Sequence, residues 1–283
     1  KNYELIVLCH GKSDYTNYLK KKFKNKKIKY LYLNDKFLSV ARNYAAQKAT
    51  GEWLMFLDDD DLWSNNILSL FKKKILEKKN IDIIYSNFKT YDLIKKSFVK
   101  NSSLVDYKKN HQNLEEALQF SNYVSGGSAF AFRKERFFQL GMFDENLGGC
   151  EDHDIWRRAA IKKYIFFYLN KKLVIYRKSN NNLSKNIKNQ FKFESAHYDK
   201  IIKELPYYLS NKFYDIQCYH LIRFAIKAIL SQNYIFFFKK FFQANFFSKI
   251  FFLKNLLKFF FKRICKLFIW SSYKKKFNFS VFI

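Results

Sequence analysis

The chain has 283 residues, 48% hydrophobic and 27% charged, which is enough apolar material for a sizeable core and about two domains. Gly is 7 and Pro is 1, so wholesale disorder and collagen-like, Pro-rich or Gly/Ser-linker chains are excluded. Lys plus Arg is 53 against 24 Asp plus Glu, a formal charge of +29 that points to polyanionic partners: nucleic acid, an anionic membrane surface or phosphate-bearing substrates.

The N-terminus, Lys1-Asn2-Tyr3, carries no signal-peptide pattern and reads as the start of a fragment or a trimmed chain. Tyr3 to Leu8 is a β-branched and aromatic run that ends at the turn Cys9-His10-Gly11. Asp14 to Lys24 reads as a basic helix, Lys29 to Leu33 as a strand, and Leu38 to Ala49 as a helix ending near Gly51. Trp53 to Leu57 is a third strand and stops at four consecutive Asp residues. A helix over Asn65 to Lys79 and a strand over Ile81 to Ser86 follow, then a strand over residues 129–132, a helix over Glu151 to Lys163 and strand-rich residues from Ile165 to Tyr176. Strands alternating with helices predict an α/β fold with a mostly parallel central sheet. From about Phe191 the pattern is helical. No Asp or Glu follows Asp215, and this shift in composition predicts two parts, residues 1–185 and 186–283.

Four Cys residues, at 9, 150, 218 and 265, form neither a metal-ligand spacing nor a disulfide framework and read as reduced cytosolic thiols. No uncharged apolar stretch of about 18 residues, the length of a spanning helix, occurs.

Asp58-Asp59-Asp60-Asp61 follows the third strand directly, where open α/β sheets bind ligands. Hard oxygen ligands there suit Mg²⁺ or Mn²⁺ held together with substrate phosphates. If strand geometry persists, Asp58 and Asp60 point to one side, and Asp59 and Asp61 to the other. The plainer reading is a solvated acidic turn before the helix near Asn65. Similarly, Glu151-Asp152-His153-Asp154 can cap the helix it opens, or supply a general base.

Ser39-Val40-Ala41-Arg42-Asn43, then Ala49-Thr50-Gly51-Glu52-Trp53 through Asp61, resembles the metal-motif segment of family 2 glycosyltransferases of the GT-A fold. A second block in the right order strengthens the likeness: Gly141-Met142-Phe143-Asp144-Glu145, then Glu151-Asp152-His153-Asp154-Ile155-Trp156-Arg157-Arg158. The resemblance covers roughly residues 3 to 185. It implies an enzyme that moves a sugar from a nucleotide-diphosphate donor to an acceptor with inversion, using Mn²⁺ or Mg²⁺. It further implies Asp60 as principal metal ligand, and Asp58 on the metal or the donor ribose. Arg42, Asn43 and Asp59 would lie at the nucleotide, Asp152 would be the general base, and Glu151 would orient the acceptor.

The sequence departs from the family at several points. Tyr3 to Leu8 resembles the family's second strand, so a first, central strand looks missing. Cys9 and His10 stand where acidic residues grip the base; His10 is either a base contact or a surface residue. Ser179 stands where many relatives place a metal-binding His. Gly126-Gly127-Ser128 resembles a segment near the acceptor, or is a plain turn into a strand.

From Tyr234 to Lys276 the chain interleaves Phe, Leu and Ile with Lys and Arg. This suits helices lying in an anionic membrane interface, and equally a packed helical subdomain with solvated lysines. Nucleic acid is not expected, because no recognised binding motif is present and the acidic clusters would repel phosphate. The reading is therefore an inverting glycosyltransferase of bacterial surface-glycan synthesis. It would be cytoplasmic, on the inner face of the plasma membrane, with a glycan or lipid-linked acceptor. Two alternatives remain: a degenerate relative that binds membrane or glycan without turnover, and a basic nucleic-acid-binding protein.

Overall fold

A computed structural model describes residues 3–24, 28–35, 37–100, 102–124, 126–179, 186–232, 234–250 and 252–254. It divides into two compact units at Glu204/Leu205.

The first unit carries eight described strands in two sheets. β1 (Leu5–His10) pairs in parallel with β2 (Ile28–Leu33), with α1 (Thr16–Lys22) between them in the chain. Glu4 ties this pair to the chain before β3: its carboxylate accepts from the Thr50 and Gly51 backbone N–H groups and the Thr50 hydroxyl. The larger sheet runs β3 (Trp53–Met55), β7 (Phe130–Arg133), β5 (Ile83–Asp92), β8 (Phe166–Lys178), β4 (Asp61–Trp63), with β6 (Ser97–Phe98) on β5.

The two long pairings, β1 with β2 and β5 with β8, are parallel. The four short ones, β3–β7, β4–β8, β5–β6 and β5–β7, are antiparallel. The larger sheet is thus mixed rather than mostly parallel. Its two edges are short antiparallel strands, which alternation in the chain does not reveal.

Side-chain alternation along the middle strands explains the layers. Ile83, Tyr85, Phe130 and Phe132 face one cluster, which includes Phe137, Ile155 and Trp156. Ile84, Ala129 and Ala131 face the other, which includes Ile67 and Phe71. Accordingly α5 (Lys134–Gln139) and α6 (Glu151–Ile161) cover one face, and α3 (Ile67–Glu77) covers the opposite one. The fully buried Trp156 meets Phe130 edge-on at 4.6 Å and stacks near Phe132 at 6.0 Å, which fixes α6 on the sheet.

Other elements are α2 (Leu38–Lys48), α4 (Leu114–Phe120) and α7 (Ile187–Lys203). The change of unit falls after α7 rather than at residue 185, because Lys200 of α7 is ion-paired with Asp144 and Asp154. The second unit contains α8 (Phe213–Ser231) and α9 (Tyr234–Gln243), reversed at Gln232, and helical residues 246–250 and 252–254. The expected helical tail beyond residue 254, the segment Asn180 to Ser184 and Cys265 lie outside the described residues. Among the described residues, Cys9, Cys150 and Cys218 form no disulfide.

Candidate active site

β3 and β4 lie on opposite edges of the larger sheet, so residues 56–60 cross the end of the sheet between them. The strand expected to reach Leu57 stops at Met55. Beyond it the Asp58 backbone N–H donates to Ser128 Oγ at 3.1 Å, and a turn at residues 59–60 leads into β4. Strand alternation is therefore lost, and the side-chain grouping changes with it. Oxygens of Asp58, Asp60 and Asp61 lie within 4.8 Å of one another, while Asp59 is exposed. Arg177 holds the turn in place: Nε donates to the Asp60 carbonyl at 2.5 Å and Nη2 to the Asp59 carbonyl at 2.8 Å.

Three clustered carboxylates repel one another. Burial pushes Asp61 up to about 6; a Ser128 hydrogen bond opposes this, while the Asp58 and Asp60 charges add to it. A set of hard oxygen donors that resists its own ionisation fits a divalent cation such as Mn²⁺ or Mg²⁺.

Arg42, on α2, joins this cluster to α6. Its Nη2 donates to Asp58 Oδ1 at 2.5 Å and its Nη1 to Glu151 Oε1 at 2.8 Å. Burial opposes the guanidinium charge, but Asp58 and Glu151 outweigh burial and raise its pKa. Glu151 is accordingly an ion-pair partner of Arg42. Asp152, the next residue, is partly buried, and its Oδ2 accepts from the Asn122 amide at 3.3 Å. Its pKa is pushed up to about 7, first by burial and then by the Glu151 charge.

Gly126-Gly127-Ser128 is a wall of the site rather than a plain turn. A Cβ on Gly127 would stand 2.8 Å from Arg42 Cζ and 3.1 Å from Asp58 Oδ2, so only a glycine lets the chain pass so close. The Ser128 carbonyl accepts from Trp63 Nε1 at 2.6 Å.

Two expected nucleotide contacts are placed differently. The side chain of Asn43 is buried and committed to the chain: its amide donates to the Phe143 carbonyl and Glu145 Oε1, each at 2.9 Å, and its carbonyl accepts from Phe143 N–H. It fastens the 143–145 loop to α2 instead of facing a ligand. His10 is exposed at the end of β1, its Nδ1 3.4 Å from the Asp35 carbonyl. His153 is buried with Nε2 2.8 Å from the Leu118 carbonyl, as a structural histidine is.

Behind the first turn of α6 the acidic pattern has another use. Asp154 is fully buried and paired with Arg157, Arg158 at 2.7 Å and Lys200 at 3.1 Å. Arg158 also donates to the Leu140 and Met142 carbonyls at 2.7 and 2.6 Å. The second sequence block is thus a clamp that fixes α6 to the loop before it. Sequence reading missed Asn122, which has no local signal, and set Asp61 apart from Asp58 and Asp60. Ser128 was marked by the glycine pair before it.

Comparison with known proteins bears on the fold and the family. The family described as "Glycosyltransferase like family 2" matches residues 1–224. An uncharacterized glycosyltransferase of Haemophilus influenzae is 23% identical over 206 residues, covering 71% of this chain and 68% of that protein. The Escherichia coli protein UDP-Glc:alpha-D-GlcNAc-diphosphoundecaprenol beta-1,3-glucosyltransferase WfgD is 34% identical over 106 residues, 37% of this chain and 38% of its own. The chain spans about half, 52%, of a Rickettsia typhi glycosyltransferase to which it is 28% identical. Among solved structures, GalNAc-T7 with UDP, GalNAc and Mn²⁺ aligns at TM-score 0.51 and 17% identity, over 75% of this chain and 43% of that one. S. aureus TarS 1–349 with UDP-GlcNAc aligns at 0.50 and 16% identity, over 77% and 71%. These likenesses show the GT-A fold. On the family match over most of its length, the chain belongs to the family 2-like glycosyltransferases.

Proposed function

We propose that the protein transfers a sugar from a nucleotide-diphosphate donor to a hydroxyl of a glycan or lipid-linked acceptor, with inversion and with a divalent cation, in bacterial surface-glycan synthesis. The observation that carries this reading is the single Arg42 guanidinium that joins the Asp58–Asp60–Asp61 cluster to the Glu151–Asp152 turn. It puts a cation-holding set and a base of suitable strength on either side of one buried charge.

Asp152 takes the proton of the acceptor hydroxyl. The acceptor oxygen then bonds the anomeric carbon as the bond to the diphosphate breaks, and the leaving group departs with the electron pair. One displacement on the face opposite the leaving group inverts that carbon. Asp58, Asp60 and Asp61 would hold Mn²⁺ or Mg²⁺, which would neutralise the charge that develops on the diphosphate. A proton affinity near neutrality suits a base that works at physiological pH. Asn122 aims the carboxylate, and the charge of Glu151 keeps its proton affinity high. Buried between Asp58 and Glu151, Arg42 acts by holding the two halves together.

The relative WfgD is named for a UDP-Glc donor and a diphosphoundecaprenol-linked acceptor. TarS and GalNAc-T7 are titled with UDP-GlcNAc and with UDP and Mn²⁺. These names support a uridine nucleotide and a lipid-linked acceptor, which we place at the inner face of the plasma membrane. The test is calorimetric titration of the full chain with UDP and GDP, each with and without Mn²⁺. Metal-dependent binding of one nucleotide, lost in Asp60→Ala, is expected. Binding that ignores the metal, or no binding, overturns the reading.

A further inference from the structure

The second unit carries a surface that sugar transfer does not require. In α9, Phe237 and Phe241 face inward, against Cys218 and Leu221 of α8 and against Phe252. One buried stripe is enough to hold a helix in place, and the opposite side is ordinarily polar. Here it is apolar as well. Tyr234, Ile235, Phe238 and Phe242 share the outer side at helical spacing and are all exposed, Ile235 at 81% and Phe242 at 71%. The rings of Phe238 and Phe242 stack 6.4 Å apart. The last turns of α8 add exposed Ile226, Ile229 and Leu230, and the helical residues after α9 add Phe246, Phe247 and Ile250.

An exposed apolar surface of this extent marks a partner. The charges identify its kind. No acidic residue follows Asp215, and the exposed cations Lys239 and Lys254 lie among these apolar residues in the chain. A second copy of the unit would bring like charges together. A nucleic acid could stack on Phe238 and Phe242, but it would leave the exposed Ile226, Ile229, Leu230, Ile235 and Ile250 without a partner, whereas an acyl boundary takes both kinds of side chain. Among the described residues, no helix is long and apolar enough to cross a membrane.

We propose that the outer side of α9, with the end of α8 and the exposed Phe246, Phe247, Ile250 and Leu253, lies in the interface of an anionic bilayer. Its Phe, Ile and Leu side chains enter the acyl boundary, and its lysines reach phosphate headgroups. This deepens the membrane part of the proposed function and rests on that part alone; it does not depend on the chemistry at Asp152.

The experiment is flotation of the full chain with phosphatidylcholine vesicles, with and without phosphatidylglycerol, at low and high salt. Tight binding to the anionic vesicles, weakened by salt, is expected. The triple change Ile235→Gln, Phe238→Gln and Phe242→Gln should lower the partition about a hundredfold. The pair Lys239→Gln and Lys254→Gln should lower it about thirtyfold on anionic vesicles and leave the weak binding to neutral ones unchanged. Circular dichroism and metal-dependent UDP binding report the fold of each variant. Equal vesicle binding by wild type and the triple variant overturns the proposal. So does a wild-type dimer without vesicle binding that the triple variant abolishes, or retention by oligonucleotides in place of lipid. Vesicle binding with no UDP binding at all would sink the transferase reading and leave this surface standing.

Discussion

Asp152 and Asp154 are two residues apart on the first turn of α6, and their surroundings are opposite. Asp154 is fully buried, yet Arg157, Arg158 and Lys200 neutralise it. Asp152 is partly exposed, yet burial and Glu151 push it up to about 7, against Arg42 and the backbone bond from His153. Depth of burial therefore does not separate the clamped carboxylate from the one proposed as a base; the supply of counter-charge does. The same distinction bears on the Asp58–Asp60–Asp61 cluster, in which Arg42 pairs with Asp58. Helix geometry places the two residues back to back, so the clamp at Asp154 fixes the position of Asp152, the proposed base.

Exchanging the amide for each acid in turn should break this comparison in opposite ways. Asp152→Asn should lower turnover, followed as nucleoside diphosphate released from a nucleotide sugar, by about 10²–10⁴-fold, the usual worth of a positioned base. Its melting temperature should not fall, because the buried Arg42 keeps its ion pairs with Asp58 and Glu151. Asp154→Asn should do the reverse to the fold. It leaves the fully buried Arg157 with Glu204 as its remaining ion-pair partner and takes the shared anion from Arg158 and Lys200, and should cost about 3–5 kcal/mol in denaturant unfolding. If Asp152→Asn unfolds the protein, or Asp154→Asn leaves it as stable as wild type, the division of labour on α6 is refuted.

How far the sequence could foresee this follows from the range of the interactions. β2, α2, α3, α6 and β8 were legible because each has a local pattern: apolar periodicity with a stop at Gly, Asn or Lys. Trp156 and Phe130, which seat α6 on the sheet, belong to such patterns. Strand direction was not legible, since β3 and β4 are three residues each and take their direction from partners far along the chain. The grouping of Asp61 with Asp58 and Asp60 was hidden for a similar reason. It depends on Ser128 drawing the chain out of strand geometry, a contact 70 residues away. Asn43 was assigned to the nucleotide from resemblance, but its bonds to Phe143 lie 100 residues along the chain. The pairing of Arg42 with both acidic blocks was equally invisible, although the three residues themselves were all singled out.

Gly127 sharpens the comparison from the cluster side. Gly127→Ala pushes a methyl group onto Arg42 Cζ and Asp58 Oδ2, both part of a salt bridge that cannot swing aside without uncovering Glu151. Overpacking of this kind should cost about 1–3 kcal/mol, read by denaturant unfolding. UDP binding with Mn²⁺ should weaken as well. Unchanged affinity would mean that the Arg42–Asp58 contact does not shape the donor site.

The smallest effect is the dependence of stability on pH, and its sign is definite. The folded pKa of Asp152 lies near 7, above the model-peptide value of 3.8. A carboxyl group raised on folding stabilises the protein fully below the unfolded value, and that contribution is lost as pH rises through the folded value. Comparison with Asp152→Asn isolates this group, because Asp61, also raised, is present in both. From pH 5 to pH 8 the wild type should therefore lose stability relative to Asp152→Asn. Partial exposure screens the charge, so the difference should be about 1 kcal/mol, or about 2–4 °C in melting temperature. A difference between wild type and variant that stays flat from pH 5 to pH 8 would mean that Asp152 is ionised throughout this range and is not a base poised near neutrality.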